Sequence, residues 1–214
     1  MAADATTKRR RREDGERARA RLLDAAISVI ARGGLSAASH RAVAVEAGLA
    51  PALTTYYFAS KTEMISAAFD RFVDRGLESI SGSWESAFEV LERYGASEEN
   101  RENTIDQLTA LTTTYIFDDR LHQTDGVAFE LAFLFNSHLD GALREKVRHY
   151  RDGMMYTAEE FCRNAGSDHP ATDASLLMGL ISRLEFEHLS DATTLTIENA
   201  EAQIRRLLEL VLPE

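Results

Sequence analysis

The 214 residues contain one cysteine, three prolines and one tryptophan. A lone thiol, Cys162, closes no disulfide within the chain and builds no cysteine-based zinc site; it reads as a small buried apolar residue. So little proline, and no long strictly alternating apolar and polar run, points to helices. No apolar run approaches the roughly 18 residues of a membrane span. The opening MAADATTKRRRRED is basic, but no apolar stretch follows it, so it is not read as a secretory signal. A cytoplasmic protein with no membrane partner is expected. The six histidines show no H-E-x-x-H spacing, and there is no P-loop, no G-x-S-x-G and no dinucleotide fingerprint. No catalytic residue, metal or cofactor is therefore expected, and an enzyme is not.

What the chain does have is an uneven charge. The net value is −11. Residues 1–61 hold eleven basic and six acidic side chains, for +5; the remainder holds thirteen basic and 29 acidic, for −16. A basic head on an acidic body suggests that only the head meets a polyanion. Charge alone leaves open a basic tail that merely solvates.

The head reads as helices. Leu23, Ala26, Ile27 and Ile30 recur at helical spacing from about residue 14, and Gly33–Gly34 supplies a stop. Ser39 is a plausible N-cap for a short second helix through Val43, Ala44 and Ala47 to Gly48. Pro51 suits the first turn of a third helix ending near Phe58. Ser60 and Glu63 are spaced as a capping box for a long fourth helix. Two short helices around a glycine turn, braced on both sides, make a helix-turn-helix whose second helix enters a major groove. A groove-reading helix must carry no carboxylate, because phosphates line both walls, and must offer hydroxyls and methyls to base edges. Ala52, Leu53, Thr54, Thr55 and Tyr56 fit, with Phe58 packing inward. The same TTYYF could instead be a core patch.

The run S-x-R-x-V-A-x-x-A-G-L-x-x-A-x-x-x-Y-Y-F-x-S-K, from Ser39 to Lys61, resembles the DNA-binding segment of TetR-type transcriptional regulators. The preceding R-x-x-L-L-D-A-A-x-x-x-I-A-x-x-G-G-L, from Arg19 to Leu35, is similar to that family's first helix. The resemblance implies phosphate contacts from His40, Tyr57 and Lys61 beside the Ser39 cap. It implies base-edge contacts from Arg41 and residues 52–56. Three positions depart from the pattern: Ala50 stands where Ser is common, Ala52 where Gly is usual, and Thr55 where Tyr is frequent. The KRRRR run at residues 8–12 is too polar to fold alone. It would grip phosphates or trail into a minor groove.

Beyond residue 62 the pattern stays helical, with segments near 62–80, 83–94, 102–118, 125–139, 142–165, 172–189 and 196–212. The fold expected is all-α with about ten helices: a basic arm at 1–13, a three-helix DNA-binding domain at 14–61, and a ligand-binding and dimerisation domain at 62–214. VAFELAFLF, residues 127–135, is apolar nearly all round and should be buried in the middle of the body. Trp84, Phe88, Tyr115, Phe133, Met154 and Met155 could line a cavity for an apolar effector or simply fill a core. His122, Glu130 and Asn136 are candidates to orient a ligand. Two C-terminal stripes complete the pattern: Leu177, Ile181, Leu184 and His188, then Ile204, Leu207, Leu208 and Val211. The resemblance implies that they pair across a two-fold axis, making a homodimer whose DNA site is an inverted repeat. Double-stranded DNA, a small-molecule effector and a second copy are thus the expected partners, with repression the expected outcome. The alternative is a helical small-molecule or partner-binding protein with only non-specific nucleic-acid affinity.

Overall fold

A computed structural model describes residues 2–95, 100–117, 124–136, 138–190 and 194–212; side chains are described for these except at 2–9, 11, 76–80, 124 and 125. Among the described residues the secondary structure is all helical. The helices are α1 (Ala2–Ala37), α2 (His40–Ala47), α3 (Pro51–Tyr57), α4 (Lys61–Tyr94), α5 (Arg101–Phe117), α6 (Thr124–Leu134), α7 (Gly141–Asn164), α8 (Pro170–Ser190) and α9 (Ile197–Val211). α1 is two helical segments meeting at Gly34, so the described elements come to nine or ten.

Two differences from the expected boundaries have local causes. α1 starts at Ala2 rather than near residue 14, so the backbone of the basic run is helical and not an arm. The Asp14–Gly15 pair does not break it, and Arg12–Glu16 at 3.1 Å and Arg17–Asp14 at 3.3 Å add i,i+4 and i,i+3 pairs. A helix already nucleated by the buried Leu22, Leu23, Ala26 and Ile30 extends at little cost. α4, expected as two helices parted at Gly82, runs straight through it. A lone glycine weakens a helix by about 1 kcal/mol against alanine, which is too little to end one. Gly34, by contrast, has φ 70°, a left-handed conformation that side-chain-bearing residues avoid, and it breaks α1.

The chain divides into two compact units: Met1–Asp74 with Ala128–Asn136, and Arg75–Val127 with Ser137–Glu214. The first unit therefore extends past the expected boundary at residue 61 and recruits α6. The apolar segment 127–135 is buried, but not in the effector body. Phe129 and Phe133 pack on Phe72 and Phe69 of α4 with ring centroids 5.0 and 4.9 Å apart. α1 and α4 are further joined by Arg71, whose guanidinium donates two hydrogen bonds to Asp24 at 2.7 and 2.9 Å. That carboxylate holds the Arg71 pKa above its ordinary value.

The second unit is built from α5, α7, α8 and α9 with the later part of α4. Its core takes Leu91, Ile105, Leu108, Ile116, Phe161 and Cys162, and then the C-terminal stripes. Leu177, Leu184, Ile204, Leu208 and Val211 are buried within this chain, and Ile181 and Leu207 pack against them. His188 lies on Phe117, with ring centroids 4.9 Å apart. The stripes expected to meet a second copy are thus the inward faces of α8 and α9. Amphipathic periodicity marks a buried face without saying which neighbour buries it. Arg101 closes the end of this core, donating to the Leu212 and Glu209 carbonyls at the end of α9.

Candidate nucleic-acid interface and an apolar cavity

The geometry of α2 and α3 is set by their ends. Ser39 caps α2, its Oγ accepting from the Ala42 N–H at 3.1 Å. Gly48 ends the helix at φ 61°, and the Leu49 N–H reaches back to the Ala44 carbonyl at 3.0 Å. Arg21 of α1 donates to the Ala47 carbonyl at 2.7 Å, so the turn is held from both sides. α3 begins with Pro51, and its N-cap Ala50 offers no side-chain acceptor. At the start of α4 the Ser60 hydroxyl accepts from the Glu63 N–H at 3.1 Å, while Glu63 accepts from the Ala59 N–H at 2.7 Å.

These constraints fix which side of α3 faces out. Ala52, Thr55 and Tyr56 are exposed, Tyr56 by 78%, while Leu53 is half-buried. Thr54 is 0% exposed, and its hydroxyl donates to the Pro51 carbonyl at 2.7 Å. Thr54 was expected on the DNA-reading face; the three-residue step to Pro51 and Phe58's burial turn it into the core. Thr55 makes the equivalent bond to the Ala52 carbonyl at 3.0 Å, but from the exposed side. Glu46 is the one carboxylate between Ser39 and Lys61, and Arg32 holds it at 2.6 Å. The outward face of α3 therefore carries methyls, one hydroxyl, one phenol and no acid.

The implied phosphate ligands divide. Arg41 is exposed at the start of α2. Lys61 is exposed and donates one hydrogen bond, to the Ser36 carbonyl at 3.0 Å, leaving two N–H donors available. His40 is half-buried, and its Nδ1 is enclosed without a partner. Tyr57 is committed elsewhere: its hydroxyl donates to the Gly15 carbonyl at 3.0 Å, 42 residues back in the chain. A phenol has one donor hydrogen, so a phosphate contact would have to replace that bond. Tyr57 fixes α3 against α1; a Cβ at residue 15 would lie 3.3 Å from the phenol oxygen, so a larger residue there would push the ring back by a few tenths of an ångström. In the basic run, Arg10 and Arg12 are exposed, while the side chains of Lys8, Arg9 and Arg11 lie outside the described residues. Sequence reasoning missed Val45, a large apolar residue 72% exposed on α2. Its offset from the buried Val43 and Ala44 was the available signal.

The second unit holds a cavity of about 80 Å³. Trp84, Tyr115 and Phe161 supply its aromatic wall, and Met154 and Met178 its thioethers. Leu108, Leu111, Leu177 and Ile181 close the aliphatic side; Ser83 and Thr112 bring hydroxyls. Among the described residues, none that lines it is charged. Of the expected pocket residues, Trp84, Tyr115 and Met154 line it. Phe88 stands behind, its ring 6.4 Å from Trp84 and 5.9 Å from Phe161, and Met155 packs in the same core. Glu130, Phe133 and Asn136 do not take part, because α6 belongs to the first unit. His122 lies outside the described residues. Thr112 and Leu111 were missed, although they sit three and four residues before Tyr115 on one helix face.

Residues 22–68 match the family model for bacterial regulatory proteins of the tetR family. No curated protein matches the sequence. Solved structures do. A transcriptional regulator from Rhodococcus sp. superposes with a TM-score of 0.68 at 22% identity, covering 91% of this chain and 95% of its own. A proposed regulator from Saccharomonospora viridis, solved in complex with choline, gives 0.65 at 20% identity, over 91% and 96%. NalD of Pseudomonas aeruginosa, secondary repressor of a multidrug efflux pump, gives 0.56 at 17%, over 92% and 95%. Residues 22–68 are thus a TetR-family segment, carried on a chain with the all-helical fold of these transcriptional regulators.

Proposed function

We propose that this chain is a ligand-responsive, DNA-binding transcriptional regulator that acts as a homodimer on an inverted-repeat site, most simply as a repressor. The observation carrying this reading is the outward face of α3. Ala52, Thr55 and Tyr56 stand exposed on a helix held at both ends and free of carboxylate. Exposed phenol, hydroxyl and methyl groups are suited to base edges and thymine methyls, and Arg41 and Lys61 to phosphates. The helical basic run adds sequence-independent phosphate contacts through Arg10 and its neighbours.

The dimer reading rests on different residues from those the periodicity marked. On α8, Leu176 and Phe186 are 52% and 57% exposed, and Arg183 lies between them on the same face. On α9, Leu210 is 60% exposed, and Arg183 hydrogen-bonds to Gln203 across the two helices. Large apolar side chains exposed on neighbouring helices favour pairing with a second copy, the polar residues between them setting its register. The effector reading rests on the uncharged cavity, and the choline complex of the Saccharomonospora protein supports a ligand-holding role for a related fold. α4 runs from Lys61, beside the helix-turn-helix, to the cavity wall at Trp84 and onward. It is the element through which occupancy would bias DNA binding.

A gel shift on the DNA flanking the chain's own gene, with excess random competitor, tests the reading. Retention of one inverted-repeat fragment by two copies of the chain supports it. Displacement by any DNA would leave a helical binding protein with a basic head.

A further inference from the structure

We infer that the cavity takes a small, uncharged, ring-sized ligand bearing one hydrogen-bonding group, met by Thr112. This rests on the regulator reading only in treating the occupant as an effector; the binding itself does not.

Size comes first. One water needs about 10–15 Å³ on this scale, so 80 Å³ admits a molecule of roughly six to eight heavy atoms. Trp84 and Phe161, with ring centroids 5.7 Å apart, give flat surfaces for a flat guest. Met154 and Met178 can adjust around its edge.

Charge comes second. A charged guest would leave its hydration shell for a wall whose described residues offer no counter-ion. A cation could regain some of that loss from the ring faces, and an anion could not. The polar handle comes third. Ser83 and Tyr115 each already make a contact with a neighbour. Thr112 faces the cavity with a hydroxyl that has no partner among the described residues. A guest with one donor or acceptor satisfies it; a pure hydrocarbon leaves it unpaired.

Trp84 is the only tryptophan in the sequence and lines the cavity, so its emission reports occupancy without DNA. The full-length protein is titrated with benzyl alcohol, benzylammonium, benzoate and toluene. Benzyl alcohol is expected to change Trp84 emission saturably and to bind at least about tenfold tighter than either ion. Ala87→Leu, which fills the cavity, is expected to abolish the change. Thr112→Val is expected to weaken benzyl alcohol several-fold and leave toluene unaffected. Equal or tighter binding of benzylammonium or benzoate overturns the inference, as does saturable binding by none of the four. An unchanged benzyl alcohol affinity in a folded Thr112→Val variant overturns the assigned handle. A separate gel shift divides the two readings: binding at Trp84 without loss of DNA retention supports the cavity inference and removes the effector role.

Discussion

The two units are held together by different means. The reading helix of the helix-turn-helix is short, and polar links help place it: Arg21 on the Ala47 carbonyl, Tyr57 on the Gly15 carbonyl, Lys61 on the Ser36 carbonyl. α2 and α3, with eight and seven residues, would not persist alone. The second unit relies on continuous aliphatic stripes of long helices, with Leu184, Ile204 and Leu208 at 2% exposure or less. In the first unit, therefore, orientation is set by a few hydrogen bonds that can be deleted singly. In the second, stability is spread over the packing, and the polar links, such as Arg101 on the end of α9, close its edges.

The largest expected effect separates the inward and outward faces of α8. Leu184→Ala should lower the free energy of unfolding by about 2–5 kcal/mol, as for other buried leucines. Leu176→Ala, on the exposed face, should change it little and instead raise the concentration at which two copies associate. Denaturant melts and sedimentation equilibrium measure the two; equal destabilisation would erase the distinction. A smaller effect is expected for Tyr57→Phe. It removes one hydrogen bond between α3 and α1, about 0.5–1.5 kcal/mol, and should weaken specific more than random DNA binding. If Tyr57 instead contacts phosphate, both affinities fall together.

Two further changes sharpen the comparison. Ala50 has the extended backbone of an N-cap (φ −64°, ψ 136°) without the side chain. Ala50→Ser should stabilise the helix-turn-helix by about 0.5–1 kcal/mol, read from amide exchange in α3. In the second unit, burial, then Asp173 and Glu159, push the Cys162 thiol up to about 11. The protonated form is therefore favoured by folding. The stability it contributes is present at neutral pH and is lost as pH rises from about 9 toward 11. Alkylation at neutral pH should require unfolding; rapid labelling of native protein would contradict this burial.

The sequence carried the first unit further than the second because turn chemistry is local. Ser39, Gly48, Pro51 and the Ser60–Glu63 box each declare a helix end within four residues. The inward turn of Thr54 was less legible, since threonine suits either face and the rotation is fixed by the burial of Phe58 and the tether of Tyr57 to Gly15. In α8 and α9 the stripes were plain, but their partner was not: a buried face looks the same whether this chain or a second copy covers it. The recruitment of α6 by Phe69 and Phe72 could not be read, because an all-round apolar helix names no neighbour. The cavity was half legible. Trp84, Tyr115 and Met154 stood out by type, whereas Thr112 matters only through the hollow it faces.

The account depends most on the outward face of α3. The direct measurement is the ratio of specific to random duplex affinity for a Thr55→Ala/Tyr56→Ala variant that keeps its native melting behaviour, beside Thr54→Ser. The account predicts that the double variant loses at least about tenfold in this ratio, since base-edge contacts contribute roughly 1–3 kcal/mol each. Thr54→Ser, which keeps the hydroxyl on the Pro51 carbonyl, should retain it. An unchanged ratio in the folded double variant would contradict the account.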